Sequence, residues 1–204
     1  MNVEPSNAEP MHVERVTLEG RFARLVPMDA SHLEAFYEIG LGHDIFRWYP
    51  FSVDTEEEMR DYVHACLGYR DAGTWLPFTT IDKATGRIAG STSYLAIDRE
   101  HRRLEVGATW LGVPWQRTAL NTEAKYLQLR HCFEVLGCRR VEFKTDSLNA
   151  RSRAALLRIG AIEEGTFRNH MICPGGRQRH SVYFSVIDSE WPRVKEHLEA
   201  LLAR

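Results

Sequence analysis

The stretch Glu105-Val106-Gly107-Ala108-Thr109-Trp110-Leu111-Gly112-Val113-Pro114-Trp115-Gln116-Arg117-Thr118-Ala119-Leu120-Asn121-Thr122-Glu123-Ala124 decides the fold. Its first seven residues read as a strand, and Gly112 to Pro114 stop it. A long amphipathic helix then runs from about Asn121 to Leu136. Tyr126, Leu129, Phe133 and Leu136 lie on one face of it, and Gly137 marks its end. A strand that turns into a helix aims free backbone N–H groups and the positive helix end at one place, which suits a diphosphate. Arg117 offers a counter-charge, while Asn121 or Thr122 caps the helix whether or not a ligand binds. Taken alone, the junction also reads as a plain capped helix start.

Working outward toward the C-terminus, Arg140 to Thr145 alternates as a strand, and Ala150 to Ile159 forms a helix ending at Gly160. Strands near Ala161 to His170 and Gln178 to Ile187 are joined by Pro174-Gly175-Gly176. A last helix runs from Glu190 to about Ala203, with Ser189 as its cap. Toward the N-terminus, Trp75 to Ile81 and Ile88 to Ile97 form a hairpin around Asp82 to Arg87. Before it come two helices, one after the cap segment Asp29 to His32 and one starting at Asp54 to Glu58. A bent strand or hairpin covers Thr17 to Val26. The order β-α-α-β-β-β-α-β-α-β-β-α predicts an α/β (α+β) protein, a mixed sheet of about seven strands with helices on both faces.

Composition bounds the function. The chain has 204 residues, 44% hydrophobic and 26% charged, with 26 basic against 28 acidic side chains and a net charge of −2. One domain is expected over residues 15–204, behind a flexible polar leader over residues 1–14. Apolar content excludes disorder as the dominant state, and the charge balance argues against a nucleic-acid partner. No apolar run approaches the ~18 residues that would span a bilayer. The N-terminus lacks the apolar segment of a secretory signal, so a cytoplasmic location and no membrane partner are expected. Cys66, Cys132, Cys138 and Cys173 show no CxxC spacing and read as reduced thiols buried as small hydrophobes. The nine histidines are scattered, so no metal is expected.

Several ordered segments carry a resemblance. Gln116 followed by Asn121-Thr122-Glu123-Ala124, then Cys138 to Asp146, Asn149-Ala150-Arg151-Ser152 and Ile159-Gly160-Ala161 stand at matching spacing. Gly165 to Arg168, Arg179 to Val186 and Glu190-Trp191-Pro192 add to them. Over residues 15–195 this wording resembles the GNAT superfamily of N-acetyltransferases, more narrowly the branch that acetylates ribosomal-protein N-termini. The resemblance implies a splayed mixed sheet, with acetyl-CoA (or coenzyme A) held between two central parallel strands, here Glu105–Leu111 and Arg140–Thr145. It implies acyl transfer from CoA to a primary amine, on a small molecule or a protein N-terminus. It also implies pairing of two copies as a homodimer.

Residue by residue, the resemblance places the diphosphate on backbone amides of Gln116, Arg117, Thr118, Ala119, Leu120, Asn121 and Thr122. Trp110, Leu111, Asn149, Arg151 and Ser152 complete the cofactor set, and an oxyanion donor comes from the backbone of Ala108 to Leu111. The family's loop glycines are replaced by Ala119 and Asn121. The tyrosine that protonates the leaving thiolate in many relatives is Leu156 here, while Ser152 matches the serine of the ribosomal-protein branch. A helix-start serine bonding to its own backbone is the competing account. Glu105 is the expected base, against a solvated glutamate paired with Arg102 or Arg103. Asp146 is the weaker choice, since it also suits a turn. Trp48, Tyr49, Trp75 and His180 are expected to line the acceptor groove, with core packing as the alternative for the aromatics. Arg117, Lys125, Arg151 and Arg153 would concentrate positive charge at the cleft.

Two other functions fit parts of this pattern. A degenerate CoA-binding sensor accommodates the missing glycines and Leu156. A nucleotide hydrolase lacks a P-loop lysine and a metal-binding acid cluster.

Overall fold

The structure, a computed structural model, describes residues 11–204. The chain runs β1 (Leu18–Glu19), β2 (Ala23–Pro27), α1 (Leu33–Gly40), α2 (Glu56–Asp71), β3 (Leu76–Asp82), β4 (Ile88–Asp98), β5 (Arg103–Leu111) and α3 (Ala119–Arg130). It continues through β6 (Arg140–Asp146), α4 (Ala150–Arg158), β7 (Ile162–Ile172), β8 (Gln178–Ile187) and α5 (Trp191–Leu202). All eight strands hydrogen-bond in one sheet, in the order β1-β2-β3-β4-β5-β6-β8-β7. The strand beyond the expected seven is β1. The Thr17–Val26 segment folds back at Gly20, where the Gly20 N–H donates to the Ala23 carbonyl at 2.9 Å, and so forms two strands.

Every neighbouring pair is antiparallel except β5 and β6. Those two run parallel from Arg103↔Arg140 to Glu105↔Glu142, and the register ends there. Period-two burial in β6 and β8 turns Val141, Phe143, Val182, Phe184 and Val186 into the core. Helices α1 and α2 cover one face around β3–β5, where the Tyr62 hydroxyl meets Ser91 Oγ at 3.3 Å. Helix α3 covers the other face, where the Tyr94 hydroxyl donates to the Gln128 carbonyl at 3.1 Å. No helix among the described residues is long and apolar enough to cross a membrane.

Three boundaries differ from the sequence reading. Helix α3 begins at Ala119, because Thr118 is its cap: Thr118 Oγ1 accepts from the Leu120 N–H at 3.3 Å and donates to the Trp115 carbonyl at 2.8 Å. Asn121 and Thr122 therefore lie inside the helix and do not cap it. Ser189 is not the cap of α5 either; the Glu190 carboxylate accepts from the Ile187 N–H at 3.0 Å. Residues 1–10 of the expected leader lie outside the described residues. Met11 is buried, and Cys138 Sγ donates to its sulfur at 3.3 Å, so core packing reaches into that segment. After α3 the chain makes a π-helical turn over His131–Val135 and then leaves through Gly137 at φ +63°, a conformation glycine adopts without strain.

Candidate functional site

Beyond Glu105 and Glu142 the parallel strands diverge into a V. The edge of β5 from Val106 to Leu111 has no strand partner on the β6 side, and neither has the edge of β6 beyond Glu142 on the β5 side. On its other side β5 is bulged. Ser93 pairs with Gly107 and Ser91 with Trp110, so Ala108 and Thr109 stand opposite Thr92 alone, with Ala108 at φ +46°. The bulge bends the strand away from β6. It leaves main-chain groups of the Ala108–Leu111 stretch facing a gap, open to anything that enters.

Helix α3 starts at the mouth of this gap. Arg117 is exposed at φ +62°, and the turn it makes presents the first-turn amides of α3. Gln116 ties the mouth together: Nε2 donates to the Leu111 carbonyl, and Oε1 accepts from Arg151 Nη1, both at 2.9 Å. Ala119 is half-buried and Leu120 buried. Asn121 Oδ1 is buried with no hydrogen-bond partner. Thr122 is buried, and its hydroxyl accepts from Arg158 Nη2 at 2.8 Å, so that side chain faces α4. Asn149 caps α4, its Oδ1 accepting from the Ser152 N–H at 3.0 Å, which leaves its amide nitrogen free to donate. The Ser152 hydroxyl is half-buried and bonds to no backbone group among the described residues, while Leu156 is buried.

Glu105 sits at the apex of the V and is buried. The sequence offered Arg102 or Arg103 as its partner, and the structure pairs it instead with Lys144 of β6, Nζ to Oε2 at 3.2 Å. Arg102 donates to the carbonyls of Leu136 and Gly137, and Arg103 pairs with Asp98 and Glu142. Burial pushes the Glu105 carboxyl above the usual range, and Lys144 pulls it partly back.

Register puts Glu105, Lys144, Asp146, Arg179, Ser181 and Tyr183 on one sheet face, toward the loop joining α1 to α2. Arg179 Nη1 donates to the Trp48 carbonyl and Nε to Ser181 Oγ, each at 3.1 Å. Arg177 donates to Asp146 Oδ2 at 2.8 Å, and its guanidinium lies 5.5 Å from the Trp48 ring. Asp146 also accepts from the Leu148 N–H at 2.9 Å, the turn role weighed against catalysis. Tyr49 packs on Phe46 and Phe51, with centroids 5.2 and 5.3 Å away. Trp48 and Tyr49 thus stand over the face that carries Glu105.

The other expected groove residues do not join them. Trp75 packs on Tyr69, ring centroids 4.7 Å apart, and lines a separate shallow depression with Arg15, Arg70 and Arg99. His180 is exposed, alternates onto the opposite face of β8, and accepts from the Asn169 N–H at 2.8 Å. The Trp110 indole packs between Phe36 and Phe46, 5.3 Å from each, with its buried N–H unpaired. Lys125 does not flank the cleft. Its amine is buried on Thr92, Thr109 and Gln128 at 3.0, 2.7 and 3.2 Å, and burial pushes its pKa down to about 7. It braces the bulge from behind. Arg153 pairs with Glu163, which leaves Arg117 and Arg151 as the cations of the mouth.

Sequence reasoning missed Lys144, His170, Arg179 and Tyr183. His170 Nδ1 lies 3.0 Å from Ser181 Oγ, and its ring lies 5.9 Å from that of Tyr183. Burial, with Lys144 and Arg179 nearby, pushes its pKa down. The i, i+2, i+4 spacing of Arg179, Ser181 and Tyr183 was visible in the sequence. Their common face with Glu105 depends on which strand β8 pairs with, which the sequence does not state.

The chain matches a family described as Acetyltransferase (GNAT) domain over residues 23–162. YdaF of Bacillus subtilis (strain 168), which carries the name of a ribosomal N-acetyltransferase, is 30% identical over 110 residues, 54% of this chain. That match spans 59% of the relative's length. A GCN5-related N-acetyltransferase from Brucella melitensis superposes with a TM-score of 0.86 at 34% identity, covering 96% of this chain and 90% of that one. A structure named as an acetyltransferase, from T. thermophilus, gives 0.85 at 38% identity, covering 94% of this chain and all (100%) of that one.

Proposed function

Because the chain belongs to the GNAT acetyltransferase family, we propose that it transfers an acetyl or similar acyl group from acyl-CoA to a primary amine, by direct attack in a ternary complex. The observation that carries this reading is the V between β5 and β6, with a buried carboxylate at its apex and a helix N-terminus at its mouth.

The residues fit CoA. The α3 amides at Arg117 to Asn121 suit a diphosphate, with Arg117 and Arg151 as counter-charges. The unpartnered Asn121 Oδ1 is an acceptor, suited to an amide N–H or hydroxyl of the pantetheine arm, and the Asn149 amide nitrogen is a donor to its carbonyls. CoA supplies an activated thioester and a thiol leaving group.

The chain's own groups supply the rest. A backbone N–H of the bulged Ala108–Leu111 stretch donates to the carbonyl oxygen as it gains charge. Glu105 takes the amine proton, directly or through water, and Lys144 favours its ionised form against the burial that raises its pKa. The Ser152 hydroxyl passes a proton to the leaving sulfur and regains one from water, while Glu105 releases the amine proton to solvent. Holding both reactants in line contributes about 7–11 kcal/mol, and a positioned base about 10²–10⁴-fold. Trp48 and Tyr49 wall the acceptor side, which favours an apolar or peptide-like amine, a protein N-terminus included.

The test is release of free thiol from acetyl-CoA with a panel of amines and N-terminal peptides. Amine-dependent release with an acetylated product of matching mass is the expected result. Thermal stabilisation by CoA with no release from any amine would mark a binding module instead.

A further inference from the structure

Arg179 is 6% exposed and has no carboxylate within 4 Å among the described residues. Its two hydrogen bonds go to neutral oxygens, the Trp48 carbonyl and Ser181 Oγ. A guanidinium has five donors, so three remain, and Nη2 has no partner among the described residues. A buried cation paired only with neutral groups is costly, and proteins normally pair it.

The carboxylates around it are already taken. Glu105 is held by Lys144, Asp146 by Arg177, Glu142 by Arg103 and Arg140, and Glu164 by Arg140. Of the other titratable neighbours, His170 leans toward its neutral form, and burial pushes the Tyr49 and Tyr183 phenols up, so none of them supplies an anion. Arg179 is left without a carboxylate in salt-bridge contact among the described residues. It lies on the face that carries Glu105, under the carbonyl of Trp48, where the acceptor amine is proposed to enter.

Resting on the acyltransfer reading, we propose that Arg179 is a specificity-determining residue that receives a carboxylate carried close to the acceptor amine. The acceptor class is an amino acid, or a peptide whose N-terminal residue is acidic. The guanidinium offers paired donors to a carboxylate, and the carboxylates on that face, Glu105 and Asp146, are held by Lys144 and Arg177.

Two matched acceptor pairs test this, with rates expressed per unprotonated amine. L-Phenylalanine against L-phenylalaninamide probes the amino-acid source, and peptides starting with Asp against Asn probe the peptide source. Wild type should prefer the carboxylate member of at least one pair by about tenfold or more in kcat/KM. Arg179→Gln should collapse that ratio toward one through KM, and Arg179→Lys should keep part of it. A ratio near one in wild type for both pairs overturns the proposal. So does an Arg179→Gln variant that loses both members of a pair equally, as loosening of the Trp48 loop would produce. A binding arm keeps the proposal separate from turnover. Thermal stabilisation by N-acetyl-L-phenylalanine and by N-acetyl-L-aspartate, each set against its carboxamide analogue, is read in wild type and Arg179→Gln. Preference for a carboxylate ligand, lost in the variant, supports the site even if no amine is acetylated; equal stabilisation within both sets overturns it.

Discussion

Glu105→Gln lowers kcat/KM for amine acylation by about 10²–10³-fold, the range for removing a positioned base. The pH–rate profile is the sharper part of this expectation. The carboxyl must be ionised to take a proton, and burial raises its pKa, so wild-type activity rises with pH through that raised value. The acceptor amine adds its own rise at higher pH. Gln at 105 removes the first limb and leaves the second. Stability does not confound the reading. A carboxyl whose folded pKa lies above its unfolded value contributes stability at low pH and loses it as pH rises through the folded value. At neutral pH the Gln variant is therefore at least as stable, apart from the lost pair with Lys144, whose side chain is a quarter exposed and hydrated by water. A profile with both limbs intact removes Glu105 from the role of base.

Glu123→Ala lowers stability by about 4 kcal/mol, which corresponds to a Tm fall of roughly 8–16 °C for a domain of this size. Glu123 is buried in the second turn of α3, and its carboxylate accepts three backbone N–H groups, from Arg21, Phe22 and Ala23 at 2.8, 2.5 and 2.6 Å. These bonds fasten the β1–β2 hairpin to the helix that opens the site. Removing the carboxylate strands three donors where water is scarce, each costing about 1–3 kcal/mol before relaxation. Gly20 is part of the same device, because a Cβ there would collide with the Glu123 carboxylate. Glu123→Gln, which keeps one acceptor oxygen, falls between. Chemical denaturation reads the difference, and a loss below about 1 kcal/mol would show that the hairpin is held by other contacts.

The element order was legible because the hydrophobic period changes cleanly between segments, from 2 in β6 to 3.6 in α3. The start of α3 was misread because Thr118, Asn121 and Thr122 are all competent caps, and the deciding contacts, Thr118 to Leu120 and Trp115, depend on local backbone geometry that residue type alone does not rank. The splay of β5 and β6 came from the resemblance; no periodicity announces where a parallel register stops. Glu105 was singled out, but its partner was sought two or three residues away and stands on the neighbouring strand. Lys125 was expected among the cations of the cofactor cleft, yet its place in α3 turns it onto Thr92 and Thr109. Arg179 and His170 join the site only through the antiparallel pairing of β8 with β6 and β7, contacts that sequence spacing does not encode.

The most direct measurement is a crystal structure of the chain grown with CoA. The account predicts the pantetheine arm between β5 and β6, against the Ala108–Leu111 backbone, and the diphosphate over the first turn of α3 at Arg117 to Asn121. CoA bound elsewhere on the surface, or a gap that stays closed to it at millimolar concentration, would contradict the account.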